Sequence, residues 1–337
     1  MFTAETPSYA IDLDLPEPER WREVIAAEQA NARRLIDRAA ADLERVPRTA
    51  RWTFGQLYRM FGGLYQGEIA AWAGALGVSV GTATMLNCLY ELSHLPQPKW
   101  LGCTAGIRWL EGHGMVHVRT LDWPIDGMGE ATRLFRFRRG AREFVSVAMP
   151  GQVGMLSGML PGAYSVTINW APPAALPNFD FGPGFLLRDV FETCDTYAAA
   201  VERLERERLS TSVFYTVCGA ERGQACVIER TQAGAAVRRF ADGPLVQANH
   251  HIAQAFSANN EAIREVPPEE EVFSIDGSSK RVKIMQDGLA ALPATCSLEA
   301  ATAPLDVPTV FNSQTCQKMV FCPATGELKL WRLVSEA

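Results

Sequence analysis

With 337 residues, 47% hydrophobic and 21% charged, the chain has the make-up of a globular protein of one large domain or two small ones. Its net charge of −6, with no basic run longer than Arg136-Phe137-Arg138-Arg139, argues against nucleic acid as a partner, and that run reads as a solvated strand edge. The opening Met1-Phe2-Thr3-Ala4-Glu5 lacks the basic start and apolar stretch of a secretory signal, and no apolar run approaches the roughly 18 residues that span a bilayer, so a cytoplasmic location is expected.

The first hundred residues read as helical. From 19 to 43 the chain is rich in Ala, Glu and Arg, with Val24, Ile25, Leu35, Ile36 and Leu43 at helical spacing. A second helix is expected over 54–76, aromatic through Tyr58, Phe61, Tyr65 and Trp72 and ended by Gly77. Its aromatic side is read as packing on a sheet, the other use being an acyl-chain or membrane-facing surface. A third helix starts at Ser79, an N-cap, and runs through Met85, Leu86, Leu89 and Tyr90. The loop Pro96-Gln97-Pro98-Lys99-Trp100 follows.

Beyond residue 102 the pattern turns to strands. Segments 104–109 and 115–118 flank the Gly112-His113-Gly114 turn as a hairpin. Further strands are expected at 132–138, 143–148, 164–169, 212–217, 225–229, 235–240, 245–248, 309–312, 318–321 and 328–333. Helices are expected at 186–207 and 280–292, and prolines make 171–183 a loop. Many antiparallel strands with grouped helices predict an α+β layered fold.

Eight cysteines in a chain of this length are not a disulfide framework. Cys194, Cys218, Cys226, Cys296, Cys316 and Cys322 lack C-x-x-C spacing and paired histidines, so they read as small buried hydrophobes, with no metal expected and no cofactor. Cys103 is different. It follows a loop and Gly102 and opens a strand, so cutting the Gly102–Cys103 bond would place its thiol beside its own α-amine. Such an amine has a pKa near ~7.7–8 and accepts a proton at neutral pH. Nucleophile and base would then belong to one residue, which predicts a self-processing amide hydrolase.

The order and spacing of several segments resemble the family of acid ceramidase and N-acylethanolamine-hydrolysing acid amidase, grouped with choloylglycine hydrolases among the N-terminal-nucleophile hydrolases. These segments are Ile11-Asp12-Leu13-Asp14-Leu15-Pro16 with Arg20-Trp21, Leu86-Asn87-Cys88-Leu89-Tyr90-Glu91-Leu92, and Cys103-Thr104 with Arg119-x-x-Asp122. Others are Gly154-Met155-Leu156-Ser157-Gly158, Pro161-Gly162, Ser165-Val166-Thr167-Ile168-Asn169, Cys226-Val227-Ile228-Glu229-Arg230 and Val246-Gln247-Ala248-Asn249. The resemblance implies a four-layer αββα sandwich with a helical prosegment. Residues 1–102 would be one fragment and 103–337 the catalytic one, the two staying associated after self-cleavage.

By the same resemblance Cys103 would be both cleavage residue and nucleophile. Asp122 would hold the new α-amine, and Arg119 would stabilise the thiolate and help place the substrate carbonyl. Asn249, through its side-chain amide, and Asn169, through its backbone N–H, would form the oxyanion hole. Arg281 would be a further active-site arginine, in a register made ambiguous by Lys280 and Lys283. The implied substrate is a small-molecule fatty amide: an N-acylethanolamine, a ceramide or another linear N-acylated amine. Acyl transfer of the isopenicillin N acyltransferase kind is the alternative, and a lipid-binding relative that never self-cleaves is a third. Thr120 and Trp170 depart from the family's asparagine and glutamate, and Trp170 implies maturation and activity near neutral pH. His250-His251, directly after Asn249, would supply a Cys–His dyad only if no free amine formed.

Overall fold

Alternation along the hairpin Gly102–Leu110 and Gly114–Asp122 sets the whole arrangement, because successive strand side chains point to opposite layers. Even-numbered Val116 and Val118 pack on Val282, Met285 and Leu289 of the helix Ile275–Ala291. Odd-numbered Ile107 and Met115 meet Cys218 and Val227 of a second sheet. The computed structural model describes residues 1–43, 48–60, 63–95, 102–123, 125–266 and 268–334. The expected loop 96–100 and Phe61 of the second helix lie outside them.

Six strands form one sheet in the order Phe2–Thr3, Glu327–Leu333, Thr315–Cys322, Gly114–Asp122, Gly102–Leu110, Leu245–Gln247. Eight form the other: Gly234–Arg239, Ala225–Thr231, Val213–Gly219, Tyr164–Trp170, Ser157–Leu160, Arg142–Ala148, Arg133–Arg139, Ser8–Asp12. Neighbours are antiparallel apart from Ser8–Asp12, which runs parallel to Arg133–Arg139. Met319 and Phe321 of the first sheet interlock with Val145, Val147 and Met159 of the second. The outer face of the eight-stranded sheet, through Phe135, Phe137, Tyr164 and Val166, is covered by Trp21, Trp72, Leu186, Leu187 and Val190. The layers run helix, sheet, sheet, helix: an αββα sandwich of the α+β class.

Several elements differ from the sequence reading. The second helix is two, Arg48–Met60 and Gln66–Leu76, with Tyr65 at φ 59 before the latter. Ser79 does cap Val80–Asn87, accepting from Thr82 N at 3.1 Å, and Gly77 closes the preceding helix at φ 62. The single helix expected over 186–207 is Pro183–Thr193 and Tyr197–Arg206, because Thr196 caps a new start by accepting from Ala199 N. No strand forms at 309–312, where Thr309 takes φ 85. Phe2–Thr3 and Ser8–Asp12 join the two sheets from a region read as helical. Tyr58 and Tyr65 pack on Phe185, and Trp72 on Trp21, so these aromatics face the protein. Among the described residues no single helix is long and apolar enough to cross a membrane; one bent pair, Gln66–Leu76 with Val80–Asn87, passes by length and composition only.

Candidate active site

Cys103 opens the strand Gly102–Leu110 and lies opposite Leu121, while Gly102 lies opposite Asp122. Strand parity sends Cys103, Arg119 and Asn169 into the space between the sheets. It sends Gly102, Thr104 and Asp122 to the side covered by Arg281. All six sequence-predicted residues (Cys103, Arg119, Asp122, Asn169, Asn249 and Arg281) are buried, and they converge on the start of this strand.

Arg119 Nη2 lies 3.4 Å from the Cys103 sulfur. The same guanidinium donates to the carbonyls of Ile168 at 2.6 Å and Leu156 at 3.1 Å and to the Ser157 hydroxyl. Carbonyls and a thiol surround it, and among the described residues no carboxylate pairs with it. A buried cation held this way offers its charge to the sulfur rather than spending it on a salt bridge.

The carbonyl of Cys103 accepts from Asn169 Nδ2 at 3.2 Å and Arg281 Nη1 at 2.9 Å. Its backbone N–H donates to Asn249 Oδ1 at 3.1 Å, which also accepts from Arg281 Nη2 at 2.8 Å. Asn249 Nδ2 donates to the Trp170 carbonyl at 2.8 Å, so in the uncut chain its amide donor is engaged. Asn169 reaches Cys103 with its side chain, while its backbone belongs to the pairing with Phe214. At 280–283 the side chains divide by face. Arg281 faces inward, whereas exposed Lys280 and Lys283 pair with Glu271 and Asp287. Burial pulls the Arg281 guanidinium below its ordinary value, against the pull of Asp122.

Asp122 is held by Thr315, whose hydroxyl donates to Oδ1 at 2.7 Å. Its Oδ2 is buried with no hydrogen-bond partner among the described residues. Burial pushes this carboxyl above its ordinary value, with Arg281, Thr315, Asn312 and Arg119 pulling back. A Cβ added at Gly102 would collide with the Phe273 ring and sit 3.0 Å from that same Oδ2. Any side chain before Cys103 would force the Phe273 ring and Asp122 to shift, and Asp122 Oδ2 lies on the same side of the strand, next to Gly102.

Sequence reasoning missed the residues that brace this centre. Tyr90 donates to the carbonyls of Asn169 at 3.3 Å and Ser212 at 3.0 Å. His94 lies between the carbonyls of Tyr90 (2.9 Å) and Ala171 (2.8 Å), stacks on Trp170, and is pushed down to about 4 by burial. Trp170 itself donates to Ser93 Oγ at 2.9 Å. His250 bonds Ser278 at 2.7 Å and His251 bonds Glu229 at 3.3 Å, so both turn away from the Cys103 thiol.

Glu229 anchors the loop that carries Asn249, accepting from Ile252 N, Ala253 N and Arg238 Nε at 2.8–3.1 Å. Arg238 extends the network to Gln247, whose amide donates to His250 O. Glu229→Ala is expected to lower stability in urea unfolding by about 2 kcal/mol, since the part-buried N–H groups of Ile252 and Ala253, the buried His251 ring and Arg238 all lose their acceptor.

A buried cysteine at the head of a central strand, with Arg119 on its thiol and an αββα scaffold around it, defines a cysteine amidase of the N-terminal-nucleophile class, whose members act on N-acylated amines. Residues 109–318, more than half of the chain, match the family model of acyl-coenzyme A:6-aminopenicillanic acid acyl-transferase, and the chain belongs to that family, within the choloylglycine-hydrolase-like group that includes acid ceramidase and N-acylethanolamine-hydrolyzing acid amidase. The match begins at Trp109, downstream of Cys103. Similar to it are the N-acylethanolamine-hydrolyzing acid amidase of Caenorhabditis elegans, 24% identical over 68% of each chain, and the acid ceramidase of Mus musculus, 26% identical over 68% of this chain and 64% of that protein. The chain thus spans just under two thirds of that ceramidase. A solved structure of the C. elegans amidase ortholog superposes with a TM-score of 0.56 over 69% of this chain and all of that one, at 20% identity, a likeness of fold.

Proposed function

We propose that the chain is a self-processing cysteine amidase that hydrolyses the carbon–nitrogen bond of linear, lipid-like N-acylated amines. The observation that carries this reading is the arrangement around Gly102–Cys103: thiol beside Arg119, a glycine whose added side chain would displace Phe273 and Asp122, and the Asp122 Oδ2, without a partner among the described residues, next to that glycine. In processing, the Cys103 sulfur attacks the Gly102 carbonyl, the amide nitrogen takes a proton and leaves, and a thioester links 102 to 103. Water then cleaves the thioester, freeing the thiol and the α-amine.

In turnover the α-amine takes the thiol proton while Asp122 balances the resulting ammonium. The thiolate attacks the substrate carbonyl, and the oxyanion is met by Asn249 once the Trp170 carbonyl releases its amide, together with the Asn169 side-chain amide that already reaches the Cys103 carbonyl. The ammonium protonates the departing amine, and water hydrolyses the acyl-thioester. The apolar cavity lined by Leu35, Trp72, Leu76, Trp123, Met149 and Leu156 would take the acyl chain. Several of those side chains cluster directly with Cys103.

Fragments 1–102 and 103–337 would stay together, since Glu68 pairs with Arg188, Glu28 with Arg133, and the first two strands are built into both sheets. A reducing compartment suits a free thiol nucleophile. Trp170, standing where acid-acting relatives carry a glutamate, favours processing near neutral pH. Acyl transfer is the second reading, favoured by the acyl-coenzyme A donor in the description of the matching family.

The test is intact mass and N-terminal sequencing after incubation between about pH 4.5 and 8. Wild-type protein should give a new N-terminus at Cys103. Cys103→Ala should stay whole and lose hydrolysis of an N-acylethanolamine completely. A chain that stays whole at every pH removes the mechanism. Product formed from acyl-coenzyme A and an amine faster than free acid would favour transfer.

A further inference from the structure

The cavity that shares Leu35, Trp123 and Met149 with the Cys103 cluster has, among the described residues, one charged side chain in its wall, Glu91 of the short helix Leu89–Leu92. The rest of that wall is mostly apolar, with Asn87 and Tyr90 engaged and the Trp72 indole N–H buried without a partner among the described residues. Asn87 bonds the carbonyls of Ala83 and Gly151 and the N–H of Val153, and Tyr90 is spent on Asn169 and Ser212. Glu91 also lines a second cavity of about 520 Å³, whose walls include Met85, Cys88, Leu92, Phe181 and Phe185. It therefore stands in the partition between two largely apolar spaces. Its carboxylate packs against Gly182, where any Cβ would strike Oε1.

Among the described residues the titratable groups near Glu91 are Tyr58, Cys88, Tyr90, Tyr215 and, one turn on, His94, which burial keeps neutral; none of them is cationic. On the rim of the second cavity Arg208 is occupied by Asp180 at 3.1 Å, with Glu207 close by. Among the described residues no Lys or Arg pairs with Glu91. Burial raises its carboxyl to about 7, opposed only by a bond to its own backbone. A carboxyl with spare hydrogen-bonding capacity in an apolar wall disfavours a plain alkyl ligand, which strips water from it and returns nothing. It favours a ligand that brings its own polar group. A hydroxyl fits in either protonation state, donating to the carboxylate and accepting from the carboxylic acid.

We infer that Glu91 is a specificity-determining residue of the acyl chamber, selecting acyl chains that carry a hydroxyl over plain alkyl chains of the same length. The inference rests on the amidase reading above and names its substrate class. Sites built to hydrogen-bond a ligand hydroxyl discriminate far more strongly than those that merely accommodate a methylene.

The experiment compares processed wild-type, Glu91→Leu and Glu91→Gln proteins on N-acylethanolamines of one chain length, either plain or hydroxylated at the 2-, middle or terminal position. Wild type should show at least a tenfold higher kcat/KM for one hydroxylated isomer. That preference should shrink in Glu91→Gln and vanish in Glu91→Leu, with plain-chain KM falling. Plain-chain kcat/KM should also decline in wild type as pH rises through about 7, because the ionised form loses more on desolvation, while the preferred hydroxylated substrate stays flatter.

Equal kcat/KM for plain and hydroxylated chains, or a preference retained in Glu91→Leu, overturns the inference while leaving the amidase reading intact. A stronger preference for an amine-bearing chain overturns the hydroxyl assignment. If no amide is turned over, the amidase reading fails, and thermal shifts with plain and hydroxylated fatty acids decide the chamber separately. A larger shift with the hydroxylated acid, lost in Glu91→Leu, supports the inference, and equal shifts reject it.

Discussion

Asp122→Asn is expected to leave the chain folded, stall cleavage at Gly102–Cys103, and reduce amide hydrolysis by about 10³–10⁴-fold, the scale seen when an orienting carboxylate becomes an amide. The substitution keeps the shape and an oxygen for the Thr315 hydroxyl. What it removes is the negative charge of an oxygen next to Gly102, without a partner among the described residues, which in the proposed mechanism faces the new α-amine. An ammonium formed in a buried site needs that charge far more than one in water. Burial raises the Asp122 carboxyl, so wild-type activity should fall as pH drops and this group takes up its proton. Single-turnover rates on pre-cleaved protein separate the effect on hydrolysis from the effect on processing. Wild-type rates in both steps would remove Asp122 from the mechanism.

Local pattern made part of this site legible. Once the turn is placed at Gly112-His113-Gly114, pairing puts Arg119 opposite Ala105, on the layer that Cys103 faces. The α+β class and most strands follow from the same alternation. Contacts distant in sequence were not readable. Nothing local in Ser8–Asp12 says that it pairs with Arg133–Arg139, or that Phe2–Thr3 closes the other sheet against Glu327–Leu333. Segment 309–312 carries β-favouring residues, yet the turn at Thr309 overrides them. The direction of the Asn249 amide depends on Trp170, 79 residues away. Glu91 and His94 sit at the end of a stretch that reads as helical and, up to Leu92, resembles the family, and their chemistry comes from the cavities and carbonyls around them.

Glu68→Leu is expected to cost about 3–5 kcal/mol of stability, the range for breaking a buried ion pair from one side. Glu68 is fully buried, and its carboxylate accepts from Arg188 at 2.5 and 2.7 Å, Trp21 at 2.5 Å and Arg20 at 2.8 Å. Leucine would strand a buried guanidinium held otherwise by Val153 O, Glu192 and the faces of Tyr65 and Phe137. Glu68 lies in 1–102 and Arg188 in 103–337, so the loss should be larger after processing, with fragment 1–102 released at protein concentrations where wild type stays intact. Size-exclusion chromatography of cleaved protein reads this directly. Burial alone would raise the Glu68 carboxyl, but Arg188, Trp21 and Arg20 outweigh it and hold it below the ordinary carboxylate range. The pair's contribution is therefore fully present above the unfolded carboxylate's pKa, near ~4.3, and lost as pH falls through the lower folded value. Adding Arg188→Met to Glu68→Leu should restore most of the stability, because the stranded charge goes with its partner. A double variant as unstable as the single one would assign the loss to packing of the helix Gln66–Leu76 instead of to the ion pair.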